Sequence, residues 1–263
     1  MKPTLKNSLL LILCFFVTAS SSVAQLPDIQ WARTYGGSAV DIAQRVIVTA
    51  DGGTVLAGYT SSKDGIVPAR PSRDYWDLLV VKLSSCGEIQ WSKSFGGTGY
   101  ESAKDIVQTD DGGFLVLGET NSTDGDVTSG YGGTKDVWLL RLSADGSLQW
   151  QKRYGGSQMD IGNRIVSLPD GNYMLLCSTA SNDGNFPGNR SAPGFTDGGL
   201  IKIDPNGHVL WTRCYGGSRN DELFDGAVVG NRLYLAGYAN STDGDIPPSQ
   251  KNYDAWLLCL DLT

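Results

Sequence analysis

Four carboxylates recur at nearly equal intervals, each a few residues after a Gly-Gly pair. Four such groups brought around one axis would repel one another, and a bound cation would relieve that repulsion. Oxygen ligands favour calcium, magnesium or sodium over zinc or copper. The pattern predicts a site for calcium or another hard cation and indicates no other cofactor. The open alternative is that each carboxylate accepts hydrogen bonds within its own link. The four residues are Asp41, Glu101, Asp160 and Asp221.

A second set of aspartates stands directly before glycine, in KDGIV, TDGDV, NDGNF and TDGDI. No copy completes the DxDxDG-x5-E pattern of a calcium loop, so the Asp-Gly pairs favour turns. They lie in the most variable segments of the chain, where ligand contacts are expected. The candidate ligand-binding residues in these loops are Asp124, Asp126, Asp243 and Asp245, and the remaining two aspartates of the set are Asp64 and Asp183.

Composition excludes several chemistries. The chain has 21 basic and 28 acidic residues and a net charge of −7, so it lacks the basic surface that nucleic-acid binding requires. Its single histidine, His208, disfavours zinc sites built from several imidazoles. That histidine lies in the turn PNGHVLW, and no Ser-His-Asp set can be assembled around it. The sequence therefore nominates no catalytic residue.

The same residues belong to a repeat that governs the fold. Tryptophans occur in the phrases IQWARTYGG, IQWSKSFGG, LQWQKRYGG and VLWTRCYGG, with spacings of 60, 59 and 61 residues. The Asp-Gly set and the aspartates that open apolar runs such as DVWLLRL follow the same period. Four copies of one unit predict a repeat protein. The tryptophans that mark the repeats are Trp31, Trp91, Trp150 and Trp211.

Each unit is predicted to form four antiparallel strands. In the first complete unit these are Arg45 to Ala50, Thr54 to Thr60, Asp77 to Leu83 and a fourth strand that carries the tryptophan. Asp-Gly turns join the first two as a hairpin. The glycines of the DGG and YGG phrases are assigned to turns that need positive φ. No segment shows capped helical periodicity, so a parallel α/β fold is excluded.

Four antiparallel strands per repeat are typical of a β-propeller blade. The chain would open with a fourth strand, Ile29 to Tyr35, and finish with a third strand, Asp254 to Leu260. The opening strand has no blade before it, and the last blade has no fourth strand. Both gaps are filled if the opening strand completes the last blade, which would also remove two exposed sheet edges. The sequence therefore predicts an all-β fold, a four-bladed propeller closed by its N-terminal strand.

Two further patterns concern the blade interior. Residues of alternating sign stand at one position of successive innermost strands, which predicts a ring of ion pairs: Arg45, Asp105, Arg164 and Asp225. The tryptophans, at one strand position per repeat, are predicted to pack between blades.

The N-terminus has the three parts of a secretory signal. Lys2 and Lys6 precede the apolar run Leu9 to Val17, and small residues follow, with cleavage expected near Ala24. Lipidation at Cys14 is the alternative interpretation. The predicted organisation is a signal peptide at 1–24 and a single propeller domain at 25–263, secreted or periplasmic, with no membrane span. Cys86, Cys177, Cys214 and Cys259 would remain, as buried thiols or in one of three disulfide pairings.

The phrases DVWLLRLSADGSLQW and DGGFLVLGETNSTDGD, followed by the Gly-Gly link, resemble secreted bacterial propeller repeats of about this length in Bacteroidetes-type exported proteins. The resemblance covers residues 29–261 and implies an exported β-propeller. It implies little about function, since one fold serves many functions.

The leading functional prediction is a non-catalytic exported module that binds a ligand, a glycan or a protein. The longest segments, at 61–75, 121–135, 181–196 and 240–253, all join second to third strands and should gather on one face. The alternatives are a carboxylate-dependent hydrolase or lyase and a purely structural envelope module. A hydrolase or lyase would need an acid and a base in distinct environments.

Overall fold

The structure is a computed structural model that describes residues 28–68, 75–128, 130, 133–247 and 252–262. The predicted signal peptide, 1–24, lies outside the described residues. The chain divides into two units, residues 1–33 and 34–263. Residues 28–33, the described part of the first unit, contain no strand. The second unit is all-β, and no helix occurs among its described residues.

Four antiparallel sheets follow one another along the chain. Sheet 1 contains β1 (Asp41–Val48), β2 (Thr54–Thr60), β3 (Asp77–Leu83) and β4 (Ile89–Phe95). Sheet 2 contains β5 (Glu101–Gln108), β6 (Phe114–Thr120), β7 (Asp136–Leu142) and β8 (Leu148–Tyr154). Sheet 3 contains β9 (Asp160–Ser167), β10 (Tyr173–Thr179), β11 (Asp197–Ile203) and β12 (Val209–Tyr215). Sheet 4 contains β13 (Asp221–Val229), β14 (Arg232–Ala239) and β15 (Asp254–Asp261).

The second and third strands have the predicted bounds, but the first strand begins earlier. In sheet 1 it starts at Asp41 and not at Arg45. The reason is a β-bulge, because the pairing with β2 shifts between Ala43 and Arg45 and leaves Gln44 as the extra residue. A bulge interrupts the alternation of buried and exposed side chains by which a strand is recognised in sequence.

The glycines serve two different purposes. In the hairpin turns Gly52 has a φ of 79°, as predicted for an Asp-Gly turn. In the first Gly-Gly link neither residue has positive φ, so that expectation was wrong there. A Cβ on Gly36 would lie 2.3 Å from Asp41 Oδ2. That link needs glycine because a side chain approaches its backbone closely.

Successive sheets pack face to face. Strand β1 contacts β5, β5 contacts β9 and β9 contacts β13. Separate apolar clusters fill the spaces between sheets 1 and 2, 2 and 3, and 3 and 4. Two tryptophans pack between sheets as predicted, and Trp91 donates from Nε1 to the Ala144 carbonyl in the turn of the next sheet at 3.1 Å. Trp150 packs in the same way, whereas Trp31 and Trp211 are 47% and 39% exposed.

The predicted strand at Ile29 to Tyr35 is not a strand in the structure. Sheet 4 has three strands, and within the described residues no strand pairs with the outer edge of β15. Closure into a ring is therefore not seen. The sequence pattern marks a segment that is able to pair, but pairing also requires the edge of sheet 4 to lie beside it. Nothing in the local pattern determines that long-range arrangement.

Three of the predicted axial ion pairs are present. Asp105, buried in sheet 2, lies 3.0 Å from Arg45 Nε and 3.3 Å from Arg164 Nη1. Arg164 Nε continues to Asp225 at 2.9 Å. Burial raises the pKa of Asp105, although the Ile165 amide and the two arginines act to lower it. The pairs form a chain across the first strands of all four sheets, with Arg45 at one end and Asp225 at the other.

All four cysteines after the predicted signal peptide are free thiols. Cys177 is buried, Cys214 is half-buried, and Cys86 and Cys259 are exposed. In the described part of the chain no helix has the length and apolar composition of a membrane span.

Candidate functional site

The carboxylates predicted to bind a cation open the first strand of each sheet, where they fix the Gly-Gly link. Asp160 is fully buried, and its Oδ2 accepts from the Gly156 amide at 2.8 Å and from Ser181 Oγ at 2.8 Å. Its Oδ1 accepts from Thr179 Oγ1 at 2.5 Å. Burial raises the pKa of Asp160, and these hydrogen bonds only partly oppose that effect.

The same arrangement recurs in the other sheets. Asp41 accepts from the Gly37 amide and from the hydroxyls of Thr60 and Ser62. Burial acts to raise the pKa of Asp41, but these hydrogen bonds outweigh it and the pKa is lowered. Glu101 accepts from the Gly97 amide and the Thr120 hydroxyl. In sheet 4, where Ala239 replaces the threonine, Asp221 Oδ1 accepts two backbone amides instead, from Asn240 and Ser241.

The loop aspartates hold the other side of each link. Asp124 Oδ1 accepts from the Thr98 amide at 2.8 Å, and Asp243 Oδ1 accepts from the Ser218 amide at 2.8 Å. Asp126 accepts from Gly96 at 2.9 Å. These contacts confirm turn formation by the Asp-Gly set, whereas ligand binding by these aspartates stays a prediction.

Asp245 has a charged partner in addition to its link. Its Oδ2 accepts from the Gly216 amide at 3.4 Å, and its Oδ1 lies 2.9 Å from Arg190 Nη1. The link carboxylates and the loop aspartates together therefore connect each Gly-Gly link to the base of the following loop. We call these hydrogen-bonded contacts the staples.

A second buried carboxylate, from the preceding third strand, flanks the links that lead into sheets 2, 3 and 4. A Cβ on Gly155 would lie 2.5 Å from Asp136 Oδ1 and 2.7 Å from Asp160 Oδ2, so the two carboxylates bracket this glycine. Burial raises the pKa of Asp136 to about 6 even though Arg153 pairs with it.

The equivalent aspartate in sheet 3 is Asp197, where Cys214 stands at the position of the arginine. Burial raises the pKa of Asp197 to about 7. The neighbouring charge on Asp221 also acts to raise it, and a hydrogen bond from the Arg190 amide acts to lower it.

These contacts bear on the cation hypothesis. Each link carboxylate is engaged by donors from its own link and loop, and within the described ranges no three acidic, cysteine or histidine side chains are arranged to hold a metal ion. The contacts favour the alternative in which each carboxylate caps its own link. A cation near the axis stays a prediction. His208 is an exposed turn residue beside Asp204, as expected.

A different set of side chains, which the sequence analysis missed, surrounds the links on the loop-bearing side. Three positions in each sheet form it: the bulged residue of the first strand, the penultimate residue of the second strand and the residue before the third strand. We call them the rim positions. They are Gln44, Tyr59 and Trp76 in sheet 1; Lys104, Glu119 and Lys135 in sheet 2; Asn163, Ser178 and Thr196 in sheet 3; and Phe224, Tyr238 and Tyr253 in sheet 4.

Rim residues contact one another within each sheet, but with different chemistry. In sheet 2 Glu119 lies 3.7 Å from Lys104 Nζ and 3.2 Å from Lys135 Nζ. In sheet 4 the Tyr238 ring lies 5.6 Å from Phe224 and 5.0 Å from Tyr253. Bulges are frequent beside functional sites because they re-aim a side chain.

Sheets 3 and 4 share a hydrogen-bonded group at the rim. Glu222, one residue after the link carboxylate of sheet 4, accepts from Ser178 Oγ at 2.9 Å, Thr196 Oγ1 at 2.9 Å and Tyr238 at 3.0 Å. Asn163 donates to Ser178 at 2.9 Å. Burial and the Glu222 charge raise the pKa of Tyr238, so this tyrosine remains a neutral donor.

The rim of sheet 1 is aromatic, and we call Tyr59, Tyr75, Trp76 and Tyr100 the aromatic cluster. Trp76 stacks on Tyr59 with centroids 4.6 Å apart and meets Tyr100 edge-on at 5.6 Å. Tyr75 lies 4.3 Å from Tyr100. Trp76, Tyr75 and Tyr100 are 40%, 44% and 39% exposed. The Trp76 carbonyl accepts from the Glu101 amide at 2.8 Å, which ties the cluster to sheet 2.

The sequence does contain a signal for the rim. The link residues repeat with little change from unit to unit, whereas no rim position carries one residue type in all four units. A search for recurring residues passes over positions that differ between repeats. An alignment of the four units for differences would have found them.

No protein-family model matches the chain. The regulatory protein FlaEY of Caulobacter vibrioides is 25% identical over 216 residues, which cover 76% of this chain. This chain spans only 22% of that protein.

Among solved structures, the cobalt-substituted apocarotenoid oxygenase of Synechocystis matches 83% of this chain and 47% of its own, with 16% identity and a TM-score of 0.39. An ACO/RPE65 chimera matches over the same shares with 15% identity and a TM-score of 0.39. A likeness at this TM-score assigns neither fold nor function to this chain.

Proposed function

We propose that this protein is an exported, non-catalytic β-propeller that binds a ligand through the face formed by the second-to-third strand loops and the rim. One observation carries the proposal: the aromatic cluster is packed against itself yet remains well exposed at this face. Large exposed aromatic side chains held in a fixed arrangement are typical of binding surfaces. The charge and hydropathy pattern of residues 1–24 supports export.

The contrast between links and rim supports the same conclusion. Staples of nearly constant chemistry fix the links, while neighbouring rim side chains change from ion pair to hydroxyl group to aromatic ring. Side chains needed only for the fold would be expected to repeat with it. Variation on a constant frame is instead what a binding surface requires.

The carboxylates argue against the enzyme alternative. A hydrolase or lyase would need a paired acid and base that reach a substrate. Asp136, Asp160, Asp197 and Asp221 have raised pKa values or close carboxylate neighbours, but all four are at most 1% exposed. Side chains so buried cannot touch a substrate without local unfolding. Their contacts support a structural role.

We further propose that the ring is closed by residues 29–35 pairing with β15. The outer edge of β15 borders a groove of about 730 Å³, lined in part by Trp211, Tyr215, Cys259 and Leu260. Sheets 1 to 3 each have a fourth strand at this place, and the phrase IQWARTY matches IQWSKSF of β4. An unpaired sheet edge beside an apolar groove is a template for another strand.

Two contacts in the second unit support this closure. The Tyr154 hydroxyl at the end of β8 donates to the Gly207 carbonyl in the next sheet at 2.7 Å. The Tyr35 hydroxyl donates to Gly87 at 2.7 Å, the equivalent carbonyl of sheet 1. Tyr35 thus already lies where the end of a fourth strand meets the following sheet.

The chain of axial ion pairs also ends in opposite charges. Arg45 and Asp225 are the two terminal members, and they are 37% and 67% exposed. A closed ring would bring sheets 4 and 1 together and allow these two side chains to complete the circle. Closure would therefore satisfy both the sheet edge and the ion-pair chain.

Cross-linking tests the closure. The register of the complete sheets pairs position 93 with 80 and would pair Arg33 with Leu257. In a background with Cys86→Ser and Cys259→Ser, Arg33→Cys with Leu257→Cys should form an intramolecular disulfide. The register-shifted control, Arg33→Cys with Ala255→Cys, should not. Equal cross-linking in both pairs, or cross-links only between chains, would overturn closure by the chain's own segment.

Blocking one face tests the binding function. In the same background, which lacks the two exposed cysteines, a polyethylene glycol chain is attached at Thr123→Cys on the loop-bearing side or at Asp110→Cys in the hairpin turn at the opposite end. Both positions are exposed. Ligands found by screening glycan and protein arrays should lose binding only with the first modification, and hydrolase and lyase panels should show no turnover. Loss only with the second modification, or enzymatic turnover, would contradict the proposal.

A further inference from the structure

We propose that the rim binds a neutral carbohydrate and that the face of Trp76 is the surface on which a sugar ring stacks. This inference rests on the binding function proposed above and names the ligand class of that site. It stands on three properties of the rim: a fixed aromatic face, adjoining donors and acceptors, and balanced charge.

The aromatic face is prepared before the ligand arrives. Tyr59 supports the Trp76 ring from one side at 4.6 Å with an interplanar angle of 21°, and Tyr100 braces it edge-on at 82°. Despite these contacts Trp76 is 40% exposed. A ring already held in one orientation loses little conformational freedom on binding, so its apolar contact contributes more of its energy to affinity.

Hydrogen-bonding groups continue the rim in the next two sheets. Lys104 and Lys135 supply donors around Glu119, which accepts. Asn163 and Ser178 form a hydrogen-bonded pair that leads to Glu222. An ammonium donates only, a carboxylate accepts only, and an amide or hydroxyl does both. Such a mixture matches a ligand that carries several hydroxyl groups.

The aromatic face, the hydrogen-bonding groups and the charge of the rim together favour one class of ligand over the others. A wholly apolar ligand would desolvate the charged side chains of sheet 2 without replacing their hydrogen bonds. A polyanion would approach a chain with a net charge of −7. The rim positions carry two lysines, Lys104 and Lys135, and one glutamate, Glu119. Glu222, which accepts from the rim hydroxyl of Ser178, adds a second negative charge, so the formal charge of the rim and its adjoining group is balanced. A sugar ring has apolar C–H faces and a circumference of neutral hydroxyls, which meets all of these conditions.

A binding screen with matched tryptophan variants tests the inference. The full chain is applied to a printed array of neutral oligosaccharides of hexose units, with acidic oligosaccharides as the comparison, and the tightest neutral binder is titrated by calorimetry. Trp76→Ala should weaken binding by about tenfold or more. Trp211→Ala is the control because Trp211 is equally exposed, at 39%, but lies in β12 at the border of the open groove. It should leave the affinity unchanged.

Trp76→Phe covers the case in which the alanine variant does not fold, since it retains a ring and should show a smaller loss. Absence of any neutral binder, preference for acidic oligosaccharides, or equal affinities of the Trp76 and Trp211 variants would overturn the inference. If a protein ligand is instead blocked by polyethylene glycol at Thr123→Cys, the carbohydrate assignment fails while the binding function stands. If no neutral carbohydrate binds and polyethylene glycol at Thr123→Cys blocks no ligand, both the carbohydrate assignment and the binding function are refuted.

Discussion

Asp197 is predicted to destabilise the folded protein at neutral and higher pH. Its side chain is 1% exposed at the start of β11, it has the buried carboxylate of Asp221 close by, and Cys214 stands where sheet 2 has Arg153. Replacing it by asparagine keeps the shape and an oxygen that can accept from the Arg190 amide, which donates to Asp197 at 3.2 Å. The substitution removes the charge and replaces one carboxylate oxygen by an amide group of similar size.

The magnitude follows from the pKa of Asp197, which rises from 3.8 to about 7 on folding. At 1.36 kcal/mol for each unit of pKa, the difference amounts to about 4 kcal/mol as an upper value. Between pH 4 and 7 the folded chain retains this proton while the unfolded chain has released it. Stability therefore falls as the pH rises through this window and levels off above it. Asp197→Asn should match the parent near pH 4 and exceed its stability by up to about 4 kcal/mol at pH 8.

Denaturant unfolding of both proteins at pH 4, 5, 6, 7 and 8 measures this difference. Asp136→Asn is the matched control, because Asp136 pairs with the buried Arg153. Burial raises the pKa of Asp136 only to about 6 despite this pair, so Asp136→Asn should exceed the stability of the parent by less, about 3 kcal/mol as an upper value at pH 8, and the lost pair with Arg153 reduces that gain. If Asp197→Asn is no more stabilising than Asp136→Asn at pH 8, or if its effect does not change with pH, the electrostatic reasoning is refuted.

Trp150→Ala should lower the free energy of unfolding by about 2 kcal/mol, below the value for a fully buried ring because Trp150 is only half-buried. Chemical denaturation should show a smaller loss for Trp211→Ala, because Trp211 is more exposed. Equal losses would contradict packing between sheets. Gly125→Ala should lower the melting temperature far more than Gly171→Ala, since both have positive φ but a Cβ on Gly125 would lie 2.4 Å from a carbonyl oxygen while Gly171 faces open space. Because Asp160 is already occupied by internal donors, chelator should leave the melting temperature unchanged; a rise with calcium that Asp160→Asn abolishes would restore the cation hypothesis.

Much of the frame could be predicted from sequence because its residues recur for local reasons. The Asp-Gly turns and the strand from Thr54 to Thr60 depend on neighbours in the chain, and both occur where expected. The alternating charges at Arg45, Asp105 and Arg164 also pair as expected, because equivalent positions on adjacent inner strands face one another.

The remaining features depend on contacts that no local pattern records. The bulge at Gln44 breaks the two-residue period, so the early start of β1 was missed. Pairing of Ile29 to Tyr35 requires a sheet edge from the other end of the chain. The aromatic cluster joins Tyr59, Trp76 and Tyr100, which are far apart in sequence and have no aromatic counterparts at the rim of sheet 2.

The separation of links and rim has a consequence for how such a chain changes over time. The staples around Asp160 or Asp41 hold the backbone without using any rim side chain. A substitution at Phe224 or Tyr253, which are 47% and 62% exposed, therefore leaves those hydrogen bonds in place and alters the surface. Each repeat can therefore acquire different exposed side chains while the carboxylates that fix its Gly-Gly link stay the same. New binding specificities can therefore arise one repeat at a time while the hydrogen bonds that hold the links are preserved.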